Sequence, residues 1–576
     1  MKENLQKEIE KILKDLGIEN PKVGFDYPAR MDFGDLSTNV AMAHAKELGE
    51  KPVDLANKIK EKVRMEDMLH LARVDVIAPG FINFFFDADY FGKIIKKILK
   101  DGPAFAESYS LAKQKIIIEY TVTNVLKPMH IGHLMGNVIG ESISRILSAN
   151  GAEVKRNNYQ GDSGLHVAKA VWGMQKLRGK IEGTLLEKTE YIGNSYAKGA
   201  QAYEDDMEVQ AEIKEINRKI FEKSDSELLD LYEWGKQVSM DHFEELYKKL
   251  DTKFDFYFFE SEVADGALKI VREFLKKGVF EESDGAVVFH GEKYDPKLHT
   301  RVFITSDGLP MYEAKDIAHA IRKYEKYKFD MSFIVTANEQ NEYFKVMLRA
   351  LQEINPEIAS KTKHISHGIL KLPDGKMSSR KGNVITGEGL IYDVEEKVKE
   401  KMANRDGMSK TVFDMVAEEV AIGAIKYSIL RQAVGGDIIF DFDKSISFEG
   451  DSGPYLQYAA VRANSLLKKA EKEFPQGSPF GNLDIGCPSG WETTNLERLL
   501  ERYPEVVAKA GKEYAPHHIV TYLIELAGEF NSFYATHKII DANDETSPYR
   551  LAITKAFVNV TASGLNLLGV KVPVEM

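Results

Sequence analysis

The apolar positions of this 576-residue chain follow two periods, and the period changes along its length. Near the start, Leu5, Ile9, Ile12, Leu13 and Leu16 recur at helical spacing and predict an opening helix. The segment DFGDLSTNVAMAHAKELG predicts a second helix, with Asp35 or Ser37 as its cap. PVDLANKIKEKV reads as a third helix and GFINFFF as a strand. Residues 1–102 are therefore expected to form a small α+β module, followed by the linker-like DGPAFAES.

From about 103 to 408, strand-like and helix-like segments alternate, as in a parallel sheet. The run Ile116-Ile-Ile-Glu-Tyr120 predicts a buried strand, EVKRNNYQ a second and MSFIVTAN a third. HLMGNVIGESISRIL puts Met135, Ile139, Ile143 and Ile146 on one helical face. The charge-rich stretch 175–262 reads as a helical insertion, a solvated outwork without chemistry of its own. From 409 to 576 the pattern is helical throughout and predicts a bundle, interrupted by the loop-like PQGSPFGNLDIGCPSG. The fold class expected is α/β, with a small α+β domain before the sheet domain and an all-α domain after it.

Composition narrows the function classes. Charged residues make up 29% and hydrophobic residues 43%, as in ordinary globular proteins. No apolar run approaches the ~20 residues of a membrane span, and the first residues lack a signal-peptide core, so the cytoplasm is the expected compartment. A single cysteine, Cys487, excludes an internal disulfide framework and a cysteine-cluster zinc site. The net charge of −12 does not advertise nucleic acid, but a local basic surface is enough for binding it.

Candidate chemistry sits where the first strand turns into a helix, at His130-Ile-Gly-His133. In open α/β sheets ligands bind beyond the carboxyl ends of the strands, and a helix N-terminus there offers free N–H groups and a positive dipole end. Three readings are open: a metal-binding pair, two capping histidines, or a phosphate site. The metal reading lacks a third ligand at a familiar spacing. In the phosphate reading His130 and His133 donate to phosphate oxygens, and Lys127 adds a charge. Gly132 lets a flat base approach the backbone, and Pro128 stiffens the loop. A second glycine-bounded segment, Lys376-Met-Ser-Ser-Arg380-Lys381-Gly382, joins three cations to two hydroxyls.

Together the two segments resemble the HIGH and KMSKS signatures of class I aminoacyl-tRNA synthetases. Longer stretches are similar to the arginyl-tRNA synthetase family: EYTVTNVLKPMHIGHLMGNVIGESISRIL, DGLPMYEAKDIAHA, FDFDKSISFEGDSGPYLQYAAVRANSLL and the ending GVKVPVEM. The resemblance implies a tRNA-elbow-binding domain over 1–102, a Rossmann-type catalytic domain over 103–408 and an anticodon-binding bundle over 409–576. It implies ATP-dependent activation of arginine and its transfer to the 3′ end of tRNA, with Mg²⁺ on the phosphates and no resident metal.

Carried residue by residue, the resemblance gives catalytic roles to Lys127, His130, His133 and Lys376. ATP contacts fall to His130, Gly132, His133, Lys376, Met377 and Ser378, and arginine contacts to Glu119, Asn124, Tyr312, Asp316 and Gln340. Tyr312 and Asp316 are one helical turn apart, and carboxylates match a guanidinium bidentately. Tyr458 and Tyr534 are candidates for stacking on anticodon bases, with a core role as the alternative. A monomer without an editing site is expected, as is a tRNA requirement for adenylate formation. Two departures stand out: Ser379 replaces the family's second KMSKS lysine, for which Lys127 is thought to compensate, and the family's Gly-Asp-Trp-Gly loop reads Gly161-Asp-Ser-Gly164, with no role expected for Ser163. A small-molecule nucleotidyltransferase shares His-x-Gly-His but would not need the helical C-terminal domain.

Overall fold

A computed structural model describes residues 1–28, 30–371, 386–403, 408–474 and 486–576. Five parallel strands form its central sheet, in the order Thr362–His367, Met331–Ala337, Lys115–Glu119, Glu153–Gln160 and Phe256–Phe259. Ile116, Ile117 and Ile118 are all buried, because helices cover both faces of a parallel sheet and leave no polar side to alternate with. The three strands expected from 103–408 are present. The edge strand Phe256–Phe259 lies inside the stretch expected to be inserted.

The helix that follows the first strand, Ile131–Ala149, buries its expected stripe of Met135, Ile139, Ile143 and Ile146. It also buries Asn137, Glu141, Ser142 and Ser144, so it is sunk in the unit rather than laid on its surface. Four helices, Leu165–Leu177, Leu185–Asp205, Met207–Glu222 and Ser226–Lys249, fill the region between the second and the edge strand.

The chain divides into two compact units, one of residues 107–458, 506–521 and 564–576 and the other of 1–106, 459–505 and 522–563. The second unit contains a three-stranded antiparallel sheet, Leu36–Thr38, Phe81–Phe86 and Leu71–Ile77, with Phe81–Phe86 in the middle. The helices Lys2–Asp15 and Pro52–Lys62 share its core through Leu5, Ile9, Leu55 and Ile59.

The capping expected of Asp35 or Ser37 does not occur. Leu36–Thr38 is a strand, Ser37 donates to Asn83 Oδ1 at 2.6 Å, and Asp35 accepts from Phe86 N at 2.7 Å and Arg498 Nε at 2.6 Å. The short helix begins later, at Val40–His44. The linker-like stretch is a 3₁₀ turn, Gly102–Ala106, with Phe105 and Ala106 buried.

Beyond residue 409 the long elements are helices, Lys410–Leu430, Gly453–Glu473, Asn495–Glu513, His517–Thr536 and Ser547–Leu567. One departure is the short strand Ile438–Ile439, paired in parallel with Leu370–Lys371. Among the described residues no helix is long and apolar enough to cross a membrane.

Candidate active site

The strand order creates the site. The chain leaves the central strand Lys115–Glu119 on one side to reach Glu153–Gln160 and later returns on its other side as Met331–Ala337. Connections therefore diverge at the carboxyl ends of these neighbours, where open α/β sheets hold ligands. A cleft of about 500 Å³ opens there, a size suited to small-molecule ligands. Glu119, Asn124, His130, Gly132, His133, Tyr312, Asp316 and Gln340 all line it.

The backbone between the first strand and the following helix is strained. Thr121 (φ 73°), Val122 (φ 53°) and Leu126 (φ 61°) occupy the left-handed region. Such positions cost roughly 1–3 kcal/mol each in non-glycine residues and persist only where surroundings enforce them. Here Asn137 Nδ2 donates to Thr121 Oγ1 at 3.0 Å, and Leu126 N donates to Ser239 Oγ at 2.9 Å. Val125 N and Gly161 O, and Gly161 N and Thr123 O, pair at 3.0 Å each. Thr121 and Val122 line the cleft, so the strained turn is part of its wall.

On one wall, His130 caps Ile131–Ala149. Its Nδ1 accepts from Gly132 N at 3.1 Å, while His133 Nδ1 accepts from His130 N at 3.3 Å. The rings stack with centroids 3.6 Å apart. Burial and the neighbouring Lys127 ammonium lower the pKa of His130 to about 4; burial, His130 and Lys127 hold that of His133 well below the usual histidine value. A neutral imidazole that accepts at Nδ1 must carry its proton on Nε2. The capping and phosphate readings are therefore compatible, since the cap fixes the tautomer that makes each ring a donor at Nε2.

Gly132 lines the cleft and serves this wall in a second way. A Cβ there would lie 3.0 Å from His130 Cε1, so the missing side chain makes room for the capping ring. Lys127 does not line the cleft; its Nζ lies 5.4 Å from the ring centroid of Tyr196 in Leu185–Asp205.

The opposite wall is the helix Tyr312–Lys326. Tyr312 opens it, half exposed, and Asp316 follows one turn later with its carboxylate 2.5 Å from Tyr343 Oη. Burial raises the Asp316 pKa to about 8 against the Tyr343 hydrogen bond, with Glu119, Glu260 and Glu313 adding like charge. Glu119 behaves oppositely. Burial would raise its pKa, but Lys323 and His319 overcome this and hold it at about 2. Its Oε2 accepts from Lys323 Nζ at 2.9 Å, His319 Nε2 at 2.7 Å and Asn157 Nδ2 at 2.9 Å. Asn124 presses on Gly161, where a Cβ would stand 2.1 Å from its Oδ1. Gln340 ends the 3₁₀ turn Asn338–Gln340, which follows the strand Met331–Ala337.

Lys376, Met377 and Ser378, and with them Ser379 through Gly382, lie outside the described residues. Tyr458 is half-buried on Gly453–Glu473 and Tyr534 on His517–Thr536; the Arg462 guanidinium lies 4.1 Å from the Tyr534 ring centroid. Among the described residues no cluster of three or more His, Cys, Asp or Glu side chains could hold a metal.

Several lining or supporting residues escaped the sequence. Glu260 is buried, 2.6 Å from Lys315 Nζ and 3.1 Å from Ser163 Oγ, so Ser163 does have a partner in the cleft wall. Asp162 accepts from Lys236 Nζ at 2.7 Å, Tyr232 Oη at 3.1 Å and Ser261 N at 2.8 Å. Lys236 and Tyr232 belong to Ser226–Lys249, so the helical stretch expected to be a mere outwork fastens the Gly161–Gly164 loop. Tyr159 lines the cleft with a buried hydroxyl that has no partner among the described residues. One signal was available: Tyr312, Asp316, His319 and Lys323 share a single helical face.

Comparison with known proteins agrees along the whole chain. The family model for "tRNA synthetases class I (R), catalytic domain" matches residues 94–442. The "Arginyl tRNA synthetase N terminal domain" matches 1–86, and the "DALR anticodon binding domain" 456–576. The arginine–tRNA ligase of Pediococcus pentosaceus is 32% identical over 536 residues, 92% of this chain and 92% of the relative. That of Clostridium perfringens is 30% identical over 567 residues, 98% and 97% of the two chains. In fold, the chain is similar to the solved arginyl-tRNA synthetase of Thermus thermophilus (TM-score 0.78, 23% identity, 100% of both chains). The Plasmodium falciparum structure gives a TM-score of 0.77 at 20% identity, covering 100% of this chain and 99% of that one.

Proposed function

Because the chain belongs to the arginyl-tRNA synthetase family, whose activity is ATP-dependent ligation of arginine to tRNA, we propose that the cleft at the sheet's switch point holds arginine and ATP side by side. The arginine side chain lies against Asp316 and the nucleotide across the start of Ile131–Ala149. The observation that carries this placement is the contrast between the two cleft carboxylates. Glu119 is already paired with Lys323 and His319, whereas Asp316 is half-buried and, among the described residues, is hydrogen-bonded only by the Tyr343 hydroxyl. A largely desolvated carboxyl with no cation beside it among the described residues is the place for a guanidinium.

Two steps follow. An oxygen of the arginine carboxylate attacks the α-phosphorus of ATP, forming the mixed anhydride and releasing pyrophosphate. A hydroxyl of the terminal tRNA ribose then attacks the arginyl carbonyl, its proton leaves, and AMP departs. In the first step the Nε2–H donors of His130 and His133, together with Lys376, stabilise the charge that grows on phosphate, and Lys127 adds its charge from outside the cleft lining rather than by contact. Aligned donors of this kind act without reorganising during the reaction. Asn124 and Gln340 hold the main-chain groups of arginine, and Tyr312 closes its side. Gly132, Met377 and Ser378 complete the nucleotide contacts, and Mg²⁺ arrives on the phosphates. Glu119 shapes the pocket wall rather than supplying the counter-charge.

We also assign residues 1–102 and 409–576 to tRNA, with Tyr458 and Tyr534 as stacking candidates. The protein is taken as a cytoplasmic monomer without editing activity. The test is ATP–pyrophosphate exchange driven by each amino acid, with and without tRNA. Exchange driven by arginine and dependent on tRNA is expected. Exchange driven equally by other amino acids would overturn the pocket assignment, and arginine-driven exchange without tRNA would remove the tRNA requirement.

A further inference from the structure

His367 ends the strand Thr362–His367 and lines the same cleft, yet it has no part in the two steps of the proposed reaction. It is 2% exposed. Its Nδ1 lies 2.8 Å from the carbonyl oxygen of Gly368. A carbonyl can only accept, so Nδ1 carries a proton and donates. Burial lowers the pKa of the ring against the pull of that hydrogen bond, so the ring is neutral near pH 7. Nε2 is then a lone-pair acceptor, the opposite tautomer to that of His130 and His133.

The placement of this acceptor is rigid and specific. A Cβ on Gly368 would come within 2.1 Å of Gly436 O, so the backbone that holds Nδ1 is packed against the chain leading to Ile438–Ile439. Nε2 lies on the side of Gly136, 3.7 Å from where a Cβ would stand on that glycine. Gly136 is one turn beyond His133 and also lines the cleft. Among the described residues Nε2 has no hydrogen-bond partner, and it is not sealed from solvent. A neutral acceptor suits a neutral donor, whereas the guanidinium has a carboxylate on the other wall.

We propose that His367 is a specificity-determining residue for the nucleotide, its Nε2 accepting a hydrogen bond from a neutral donor of the ATP nucleoside, either the exocyclic amine of the base or a ribose hydroxyl. This rests on the placement of the nucleotide across the start of Ile131–Ala149. A site built around such a bond rejects an analogue lacking the donor, because the acceptor is then left buried and unpaired.

The experiment is steady-state arginylation by the full chain with ATP, ITP, 2′-deoxy-ATP and 3′-deoxy-ATP, for wild type, His367→Phe and His367→Gln. Wild type should use one of these analogues about tenfold less well in kcat/KM than ATP, the effect of one lost neutral hydrogen bond. ITP identifies the amine as the donor and the deoxy analogues a hydroxyl. His367→Phe, which keeps the ring, should lower kcat/KM for ATP about tenfold and lose no more on that analogue, with arginine KM within about twofold. His367→Gln, which keeps an acceptor, should retain part of the discrimination.

A variant that loses equally on every nucleotide would make His367 a packing residue and overturn the proposal. So would a wild type that uses all four nucleotides equally, and that result needs no folded variant. His133→Ala separates the two readings. If it and His367→Phe both leave ATP kinetics unchanged, the nucleotide placement itself fails; if only His367→Phe does, this inference alone fails.

Discussion

The two walls of the cleft hold their polar groups by opposite means. On the histidine wall the protein engages one nitrogen of each ring and, among the described residues, leaves the other open. His130 and His133 turn Nδ1 to backbone N–H groups and keep Nε2 as a donor. On the carboxylate wall it treats two similar residues differently: Glu119 receives three donors on one oxygen, while Asp316 receives one hydroxyl. Pairing a buried charge supports the fold, and leaving one nearly unpaired reserves it for a ligand of opposite sign. Sequence position alone does not separate these cases, since both carboxylates lie within the same pocket.

The comparison can be broken most forcefully at Lys323. Its fully buried ammonium is what lets Glu119 remain ionised. Lys323→Met should destabilise the catalytic unit by about 3–5 kcal/mol, because an uncompensated carboxylate would be left in the core. Limited proteolysis and thermal unfolding would show it, and Glu119→Gln combined with Lys323→Met should recover much of the loss. If the single substitution is silent, Glu119 is not a structural ion and becomes the better candidate for the guanidinium.

His133→Ala sharpens the other wall. It should lower kcat for adenylate formation about 100- to 1000-fold, the usual consequence of removing one aligned donor. Arginine affinity should change less than about twofold, and the lost cap should cost only about 1 kcal/mol of stability. A rate within about tenfold of wild type would return the ring to capping alone.

Asp316→Asn ranks next. Arginine affinity should fall by about 2 kcal/mol or more while the KM for ATP stays within about twofold, as measured by direct binding and initial rates. Lysine should not replace arginine, because its ammonium would meet the same amide. Stability should not fall, since this carboxyl is held protonated by desolvation and has no cation among the described residues to lose.

How much of this was legible beforehand depends on how local the signal is. The first strand and the helix after it follow from short-range periodicity, and Ile116–Ile118 and Ile131–Ala149 fall where the apolar pattern puts them. The two histidines, Asn124, Tyr312, Asp316 and Gln340 could be named from motif resemblance, and they converge on one cleft. What escaped depends on contacts distant in sequence. Asp35 looked like a helix cap because its role is set by Arg498 and by the backbone of Phe86. Glu260 and Asp162 look like ordinary charges until Lys315 and Lys236 fold onto them. The helices of 175–262 look like a solvated outwork because their charge composition hides the few residues, Tyr232 and Lys236 among them, that turn inward.

The smallest effect is the most diagnostic of the Asp316 assignment. A carboxyl with a pKa of about 8 in the empty site is mostly protonated at neutral pH. A guanidinium pairs with the ionised form, so the bound complex should hold this pKa well below 8. Arginine binding therefore expels a proton at any pH between the two values. By linkage, affinity rises with pH by up to about tenfold per unit below pH 8 and levels off above it. The gain is real only if the titrating group belongs to the arginine site, so ATP binding should lack that slope. Calorimetry in two buffers of different ionisation enthalpy, near pH 6.8, should detect close to one proton released per arginine bound. Asp316→Asn should abolish the release along with most of the affinity. Full release persisting in that variant would move the titrating carboxyl to Glu260, whose pKa burial also raises, and the guanidinium with it.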